Sequence, residues 1–238
     1  MNEWISREPL GSEHHIFITE RHRFTTDTML LAHFAAPKAH DVCADIGSGS
    51  GLIPLLWAIR NKPASVLALE IEQDAVFLIE RSVRENGLKQ IVTPLCGDAR
   101  NFKQLLPHQG FDLLSCNPPY YPQGSGAAGE GVRGTARHDG TLTLSDLAAL
   151  ALYALKDGGR LCVCLPVARM AEAMSLFRQA GLEPKRLRTV QSAPGKPPYL
   201  FLLECRKAGK TGLSVETPLV LTDEAGTMTE EMQEIYRV

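Results

Sequence analysis

No run of apolar residues comes near the ~20 that a helix needs to cross a bilayer, so the sequence excludes a membrane-spanning helix. The opening Met1-Asn2-Glu3-Trp4 carries charge at once and leads into no apolar stretch, so no secretory leader is expected. The six cysteines (Cys43, Cys96, Cys116, Cys162, Cys164 and Cys205) lack zinc-ribbon spacing. They sit within apolar stretches, and buried, reduced thiols of a cytoplasmic protein are the expectation. No histidine pair is spaced like a metal site, so no metal is expected. A net charge of −2 is too small to select a partner by itself.

What is present points to one large α/β domain in 238 residues. Residues 42–46 read as a short buried strand ending at a glycine-rich turn, followed by a helical pattern over 52–60. Further strands are expected at 65–70, 91–96, 112–116 and 160–165, with helices at 74–86, 145–155 and 168–180. This alternation implies βαβ units and a mostly parallel, twisted, Rossmann-like sheet. Two closely spaced β-rich stretches, 184–190 and 199–205, suggest an antiparallel hairpin at one sheet edge. Residues 123–134 are glycine-rich and read as a loop, and Asp157-Gly158-Gly159 reads as a turn. The tail ends in an amphipathic segment, with Thr227 and Glu230 spaced like a capping box and Met232, Ile235 and Tyr236 on one face.

Charge is unevenly spread. Residues 216–238 carry a local charge of −5, so the rest of the chain sums to +3. Residues 184–210 hold Lys185, Arg186, Arg188, Lys196, Arg206, Lys207 and Lys210 against Glu204 alone. Such a run is either a solvated face or a phosphate-contact surface. His14, His15, Arg21, His22 and Arg23 form a second basic region.

Asp45-Ile46-Gly47-Ser48-Gly49-Ser50-Gly51 lies between a strand and a helix, where a doubly wound fold binds its ligand. Glycines let the backbone turn sharply and approach a ligand closely. Glu70, about 20 positions on at the end of the next strand, suits ribose hydroxyls. The spacing is Gly-x-Gly-x-Gly rather than that of dinucleotide folds, which favours a loop around the methionine part of S-adenosylmethionine. Asp98 ends the third strand on the same edge. It suits an adenine amino group or an N-cap for the segment that follows.

Asn117-Pro118-Pro119-Tyr120 follows the fourth strand. An amine conjugated to a heterocycle is a poor nucleophile, because its lone pair is delocalised into the ring. Two acceptors on its N–H groups orient it for in-line attack, and the Asn117 side-chain oxygen and the Pro118 carbonyl supply them. Prolines stiffen that backbone, and Tyr120 offers a face for base stacking. Catalysis of this kind is chiefly alignment and requires no dedicated general base. A plain strand-terminating turn is the other reading of these residues.

With these residues in place, the chain resembles class I amino-methyltransferases of the Asn-Pro-Pro-Tyr type. More narrowly it resembles bacterial tRNA adenine-N6 methyltransferases that modify the adenosine 3′ of the anticodon of a valine tRNA. The likeness rests on 24–32, 45–51, Gly97-Asp98, 117–120, Arg137-His138, 184–188 and 229–236. The family usually continues Arg-His with Glu, where this chain has Asp139. The resemblance implies that Thr25 to Asp27 line the methionine end of the cofactor, although Thr26 or Asp27 as a helix N-cap is an equal alternative. It also implies a tRNA partner, with Arg137, His138, Lys185, Arg186, Arg188 and Lys196 as candidate RNA contacts. The cofactor set is Thr25, Asp27, Asp45, Gly47, Ser48, Gly49, Gly51, Glu70, Asp98 and Asn117. The expected layout is an N-terminal extension contributing to the cofactor site (1–40), a methyltransferase domain (41–210) and a tail with a short helix (211–238), acting as a monomer. Other enzymes bearing the motif methylate a guanine amine in ribosomal RNA, an adenine in DNA or a protein glutamine. Only 44 residues precede Asp45, too few for the helical domain of the glutamine enzymes. DNA enzymes generally need a separate target-recognition domain. A non-catalytic cofactor-binding module is the alternative from a different class.

Overall fold

The computed structural model describes residues 4–118 and 142–238. Its elements in chain order are β1 (Ser6–Leu10), β2 (His14–Ile18), α1 (Thr26–Ala35), β3 (Val42–Ile46), α2 (Leu52–Arg60), β4 (Ser65–Glu70), α3 (Gln73–Glu85), β5 (Val92–Cys96), α4 (Phe102–Leu105) and β6 (Phe111–Cys116). They continue with α5 (Leu144–Ala154), β7 (Leu155–Pro166), α6 (Met170–Gln179), β8 (Leu182–Gln191), β9 (Leu200–Lys207), β10 (Ser214–Val215), β11 (Leu219–Val220) and α7 (Glu230–Tyr236).

The main sheet has the order β10-β8-β9-β7-β6-β3-β4-β5, with β11 also on β8. β3 to β7 are parallel where they pair, and β9 runs antiparallel to β7 and β8. Both faces are covered, so alternate strand residues enter two separate cores. Cys43, Leu113, Cys162, Cys164 and Leu202 pack with α1, α2, α3 and α7. Ala44, Leu114, Leu161, Val163 and Leu203 pack with α5 and α6. The expected mostly parallel sheet with an antiparallel hairpin is therefore present, but the hairpin does not form the edge. The short β10 and β11 lie outside it, parallel to β8.

Four local expectations are corrected. Asp157-Gly158-Gly159 does not precede a strand but lies within β7, which runs through it with an irregular register against β6. The cap of α7 is Thr229, whose hydroxyl accepts from Met232 N, not Thr227. Met232 and Ile235 are buried, whereas Tyr236 turns out toward α1. Five cysteines are buried, as expected of structural thiols, but Cys96 is exposed.

Among the described residues the N-terminal hairpin has no strand partner on its second side. The Asn86 side chain accepts from His15 N and donates to His15 O, while Ser82 Oγ on α3 accepts from Phe17 N. Side chains here complete the hydrogen bonding of an otherwise unpaired strand edge.

The C-terminal helix is tied down by Arg60 at the end of α2. Its Nη2 donates at 2.7 Å to the carbonyls of both Ile235 and Arg237. These are orphan carbonyls of a helix end, and a cation there also opposes the helix dipole. Arg60→Ala is expected to cost about 2 kcal/mol, read as a lower urea midpoint, with faster amide exchange confined to 230–238. Unchanged exchange in that segment would contradict this account of the tail.

Candidate active site

Parallel strands place all their carboxyl ends on one edge, and four parts of the expected site meet there. The registers set Ile46 beside Leu69 and Cys116, and Glu70 beside Cys96. The loop after β3, Glu70 after β4, Asp98 after β5 and Asn117 after β6 thus form one continuous rim.

The glycine loop is anchored on β4, with Gly47 N and Ser48 N both donating to Leu69 O at 2.9 and 3.1 Å. Gly47 and Gly49 hold φ of 74° and 55°, left-handed values that disfavour side chains. A Cβ at either would meet nothing within 4 Å, so the loop's outer surface borders open space. Gly51 serves a different purpose: its Cβ would stand 2.9 Å from Ile79 Cγ1, so glycine lets α2 start against α3. Glu70 closes the hollow from the side. Its Oε2 accepts from Gly49 N at 2.8 Å, and its Oε1 accepts from Ile71 N and Glu72 N at 2.8 and 3.1 Å. A carboxylate has about four acceptor positions, so one remains for a ligand hydroxyl. The next residue, Ile71, is 53 % exposed, an apolar surface that the sequence reading missed. A hollow floored by glycines, walled by a carboxylate and flanked by an exposed isoleucine fits an adenosyl amino acid.

Asp45 is buried and accepts a hydrogen bond from the wholly buried Ser115 of β6. Burial pushes its carboxyl up to about 6, against the lowering effect of Ser115 and Ser48 and with the Glu70 charge adding to the rise. A folded-state value above the unfolded one means that ionisation disfavours the folded state. That penalty is absent below about pH 4 and complete above about pH 6, where it amounts to about 3 kcal/mol. Asp45→Asn keeps an acceptor for Ser115 and removes the charge. Its stability relative to the wild type is expected to improve between pH 4 and 6 and then level off, measured by urea unfolding across that range. A pH-independent difference would contradict the buried ionised carboxylate.

Asp98 shows the capping role: it accepts from Arg100 N at 2.9 Å and pairs with the Arg100 guanidinium. Arg100 holds its carboxyl below the usual range. Thr25, not Thr26 or Asp27, stands at the N-cap of α1, and its side chain makes no cap bond. Asp27 is half-buried, and desolvation raises its carboxyl against the lowering effect of its own backbone amide. Burial, followed by the Asp27 charge, pushes the nearby Tyr199 phenol up to about 12.

Asn117 stands just past β6, and its Nδ2 donates to Thr28 Oγ1 on α1 at 3.2 Å. The next residue, Pro118, is buried. Thr28 was not among the expected site residues, because a helical threonine in an apolar run carries no signal of a partner 89 positions away. Tyr120, Arg137, His138 and Asp139 lie outside the described residues.

Two positions of the basic run have partners within the fold. Arg186 pairs with Glu204 and Glu216, stacks on Phe34 and donates to Phe34 O. The Arg188 side chain is only 12 % exposed, and it pairs with Glu231 and donates to Thr217 O. Both guanidiniums are committed to internal partners, three of them acids on the tail or on β9. Lys185 donates to Lys210 O yet stays near the surface, and the exposed Lys196 lies on the β8–β9 turn at the same edge as Asn117. In the second basic region, Arg21 pairs with Glu72, while His15 and His22 are buried. Among the described residues no three His, Cys, Asp or Glu side chains are grouped as a metal site, and no helix is long and apolar enough to cross a membrane.

Comparison with known proteins agrees with this geometry. Residues 13–174 match the model of the methyltransferase small domain. A tRNA1(Val) (adenine(37)-N6)-methyltransferase of Vibrio cholerae is 32 % identical over 202 residues, covering 85 % of this chain and 82 % of that protein. A protein of the same name from Porphyromonas gingivalis is 32 % identical over 192 residues, with 78 % and 75 % covered. Among solved structures, a predicted O-methyltransferase from Agrobacterium tumefaciens superposes with a TM-score of 0.70 at 20 % identity, covering 89 % of this chain and 95 % of that one. The open glycine hollow, the Glu70 wall and the Asn117 amide share one rim, and the chain belongs to the tRNA1(Val) (adenine(37)-N6)-methyltransferase family of S-adenosylmethionine-dependent enzymes.

Proposed function

We propose that this chain methylates N6 of adenosine 37 in tRNA1(Val), the reaction named for its relatives. The observation that carries the reading is the Asn117 amide, held by Thr28 at the end of β6 on the rim that carries the glycine hollow. When bound, S-adenosylmethionine supplies an electrophilic methyl group on a sulfonium. Gly47, Ser48, Gly49 and Gly51 would surround its amino-acid part, with Thr25 and Asp27 at the methionine end and Asp45 beneath. Glu70 would accept ribose hydroxyls, while Ile71 and Asp98 would flank the adenine.

The remaining work belongs to the chain's own side chains. The Asn117 oxygen and the Pro118 carbonyl accept the two N–H groups of the target amine, and Tyr120 stacks on its base. Holding the amine in line supplies most of the acceleration, since alignment alone is worth several powers of ten. The proton leaves the amine after it has become cationic, so the site needs no strong base. We assign phosphate contact to Lys185 and Lys196 with Arg137 and His138, and not to Arg186 or Arg188. Residues 1–40 would contribute to the cofactor site of the 41–210 domain and residues 211–238 would form its C-terminal tail, in a cytoplasmic monomer.

The test is incubation of purified protein with labelled cofactor and, separately, unmodified tRNA, ribosomal RNA and a glutamine-bearing protein extract. Nucleoside and amino-acid mass spectrometry should place the label in N6-methyladenosine from tRNA. Label in N2-methylguanosine or methylglutamine would replace the proposed substrate. Cofactor binding without turnover on any of the three would mark a non-catalytic module.

A further inference from the structure

The first turn of α1 meets the active site and the C-terminal helix through neighbouring threonines. Thr28 Oγ1 accepts from Asn117 Nδ2 at 3.2 Å, and Thr26 Oγ1 lies 3.0 Å from the Tyr236 hydroxyl on α7. The helix itself is fixed along its length. Met29, Leu30, Leu31 and Ala32 are buried, and Trp57 Nε1 donates to Ala32 O. At its far end Arg160 donates to Ala35 O and Arg186 to Phe34 O, placing two cations where the helix dipole is negative. Thr28 is therefore a stationary point to which a loop side chain is tethered.

A carboxamide carries its acceptor and its donor on opposite arms of one plane. Acceptance of an amine N–H requires the oxygen arm, because an amide N–H group in that place would repel it. The two orientations differ by a half-turn of a broad terminal torsion, so the asparagine alone selects neither. A helical threonine can give its own proton to a carbonyl one turn back, which leaves lone pairs to receive an N–H.

We propose that Thr28 is the positioning residue of the methyl-transfer site: by taking the Asn117 amide nitrogen it turns the amide oxygen toward the target amine. The Tyr236–Thr26 contact braces the same turn from α7. The inference rests on the proposed amine-holding role of Asn117.

Thr28→Val preserves shape and removes the acceptor, whereas Thr28→Ser preserves the acceptor. With saturating tRNA1(Val), Thr28→Val is expected to lower kcat about five- to tenfold, with cofactor Kd, tRNA KM and thermal midpoint all near wild type. Thr28→Ser is expected to regain most of the rate. Wild-type kcat in Thr28→Val would overturn the proposal, as would a loss that tracks cofactor affinity or thermal stability. A folded Thr28→Ser that stays as slow as Thr28→Val would also overturn it.

A second readout separates this proposal from the choice of substrate. In the cofactor-loaded protein, the Asn117 side-chain NH2 resonances should be protected from exchange in the wild type and Thr28→Ser, and unprotected in Thr28→Val. If the wild type methylates no tRNA, the substrate assignment fails while these resonances still decide the role of Thr28. Identical protection in all three proteins would refute it.

Discussion

Replacing Asn117 by alanine is expected to lower methyl transfer by a factor of about 10² to 10³, while cofactor affinity changes by less than about threefold; removing one preorganised hydrogen-bonding group from a reacting centre has effects of that size. The physical reason is the poor nucleophilicity of a ring-conjugated amine. Its lone pair becomes available only as the nitrogen pyramidalises, and acceptors on its N–H groups favour that geometry more than the planar ground state. An interaction that strengthens toward the transition state acts on kcat. The glycine loop, Glu70 and Ile71, proposed to hold the cofactor, lie on other strands, so its binding is expected to depend little on the amide. Single-turnover rates and calorimetric titration of the cofactor check the two halves separately. Parallel losses of affinity and rate would place Asn117 in cofactor binding instead.

The second large effect is expected at Glu70. This nearly buried carboxylate gathers three backbone amides, those of Gly49, Ile71 and Glu72. It thereby ties the glycine loop to the start of α3. Glu70→Ala strands these donors and removes the proposed ribose acceptor together. Cofactor Kd is expected to rise at least about 100-fold, with about 3 kcal/mol of stability lost, since hydrogen bonds to a charged acceptor are each worth more than neutral ones. Glu70→Gln keeps one oxygen but turns an NH2 toward an N–H donor, so its losses should be intermediate. Titration calorimetry and urea unfolding on the same samples measure both. Wild-type stability in Glu70→Ala would show that solvent satisfies those amides.

Much of the central fold was legible because its signals are local. The helix expected at 74–86 forms at Gln73–Glu85, where apolar periodicity is strong and Gly87 follows with φ of 70°. β3, α2 and β4 take their expected limits, bounded by glycine at the loop and by Glu70 at the strand end. What escaped depends on distant partners. β1 and β2 are short, and their place is set by Ser82 on α3 and Asn86 just past its end, about 70 residues away, as the 65- and 71-residue separations of those bonds show. The cap at Thr229 won over Thr227 because the Thr229 hydroxyl also donates to Val220 O, a contact that needs β11 in place.

Charge gave the clearest case of a pattern read in isolation. In the sequence the basic stretch read as either a solvated face or a phosphate-contact surface, with the acidic tail as a separate feature. In the fold they meet, through Arg186 with Glu216 and Arg188 with Glu231. The candidate site divides in the same way. Glycines, Glu70, Asp98 and Asn117 were visible as motif residues, whereas Thr28 and Ile71 join the candidate site through their placement alone.

The central claim is that the rim at Asn117 presents one adenosine amine of a tRNA for methylation. It is tested most directly with two transcripts of tRNA1(Val), one natural and one carrying guanosine in place of adenosine 37, each incubated with the protein and labelled cofactor. The account predicts one methyl group per natural transcript, recovered as N6-methyladenosine, and none in the substituted one. Equal incorporation into both would contradict it.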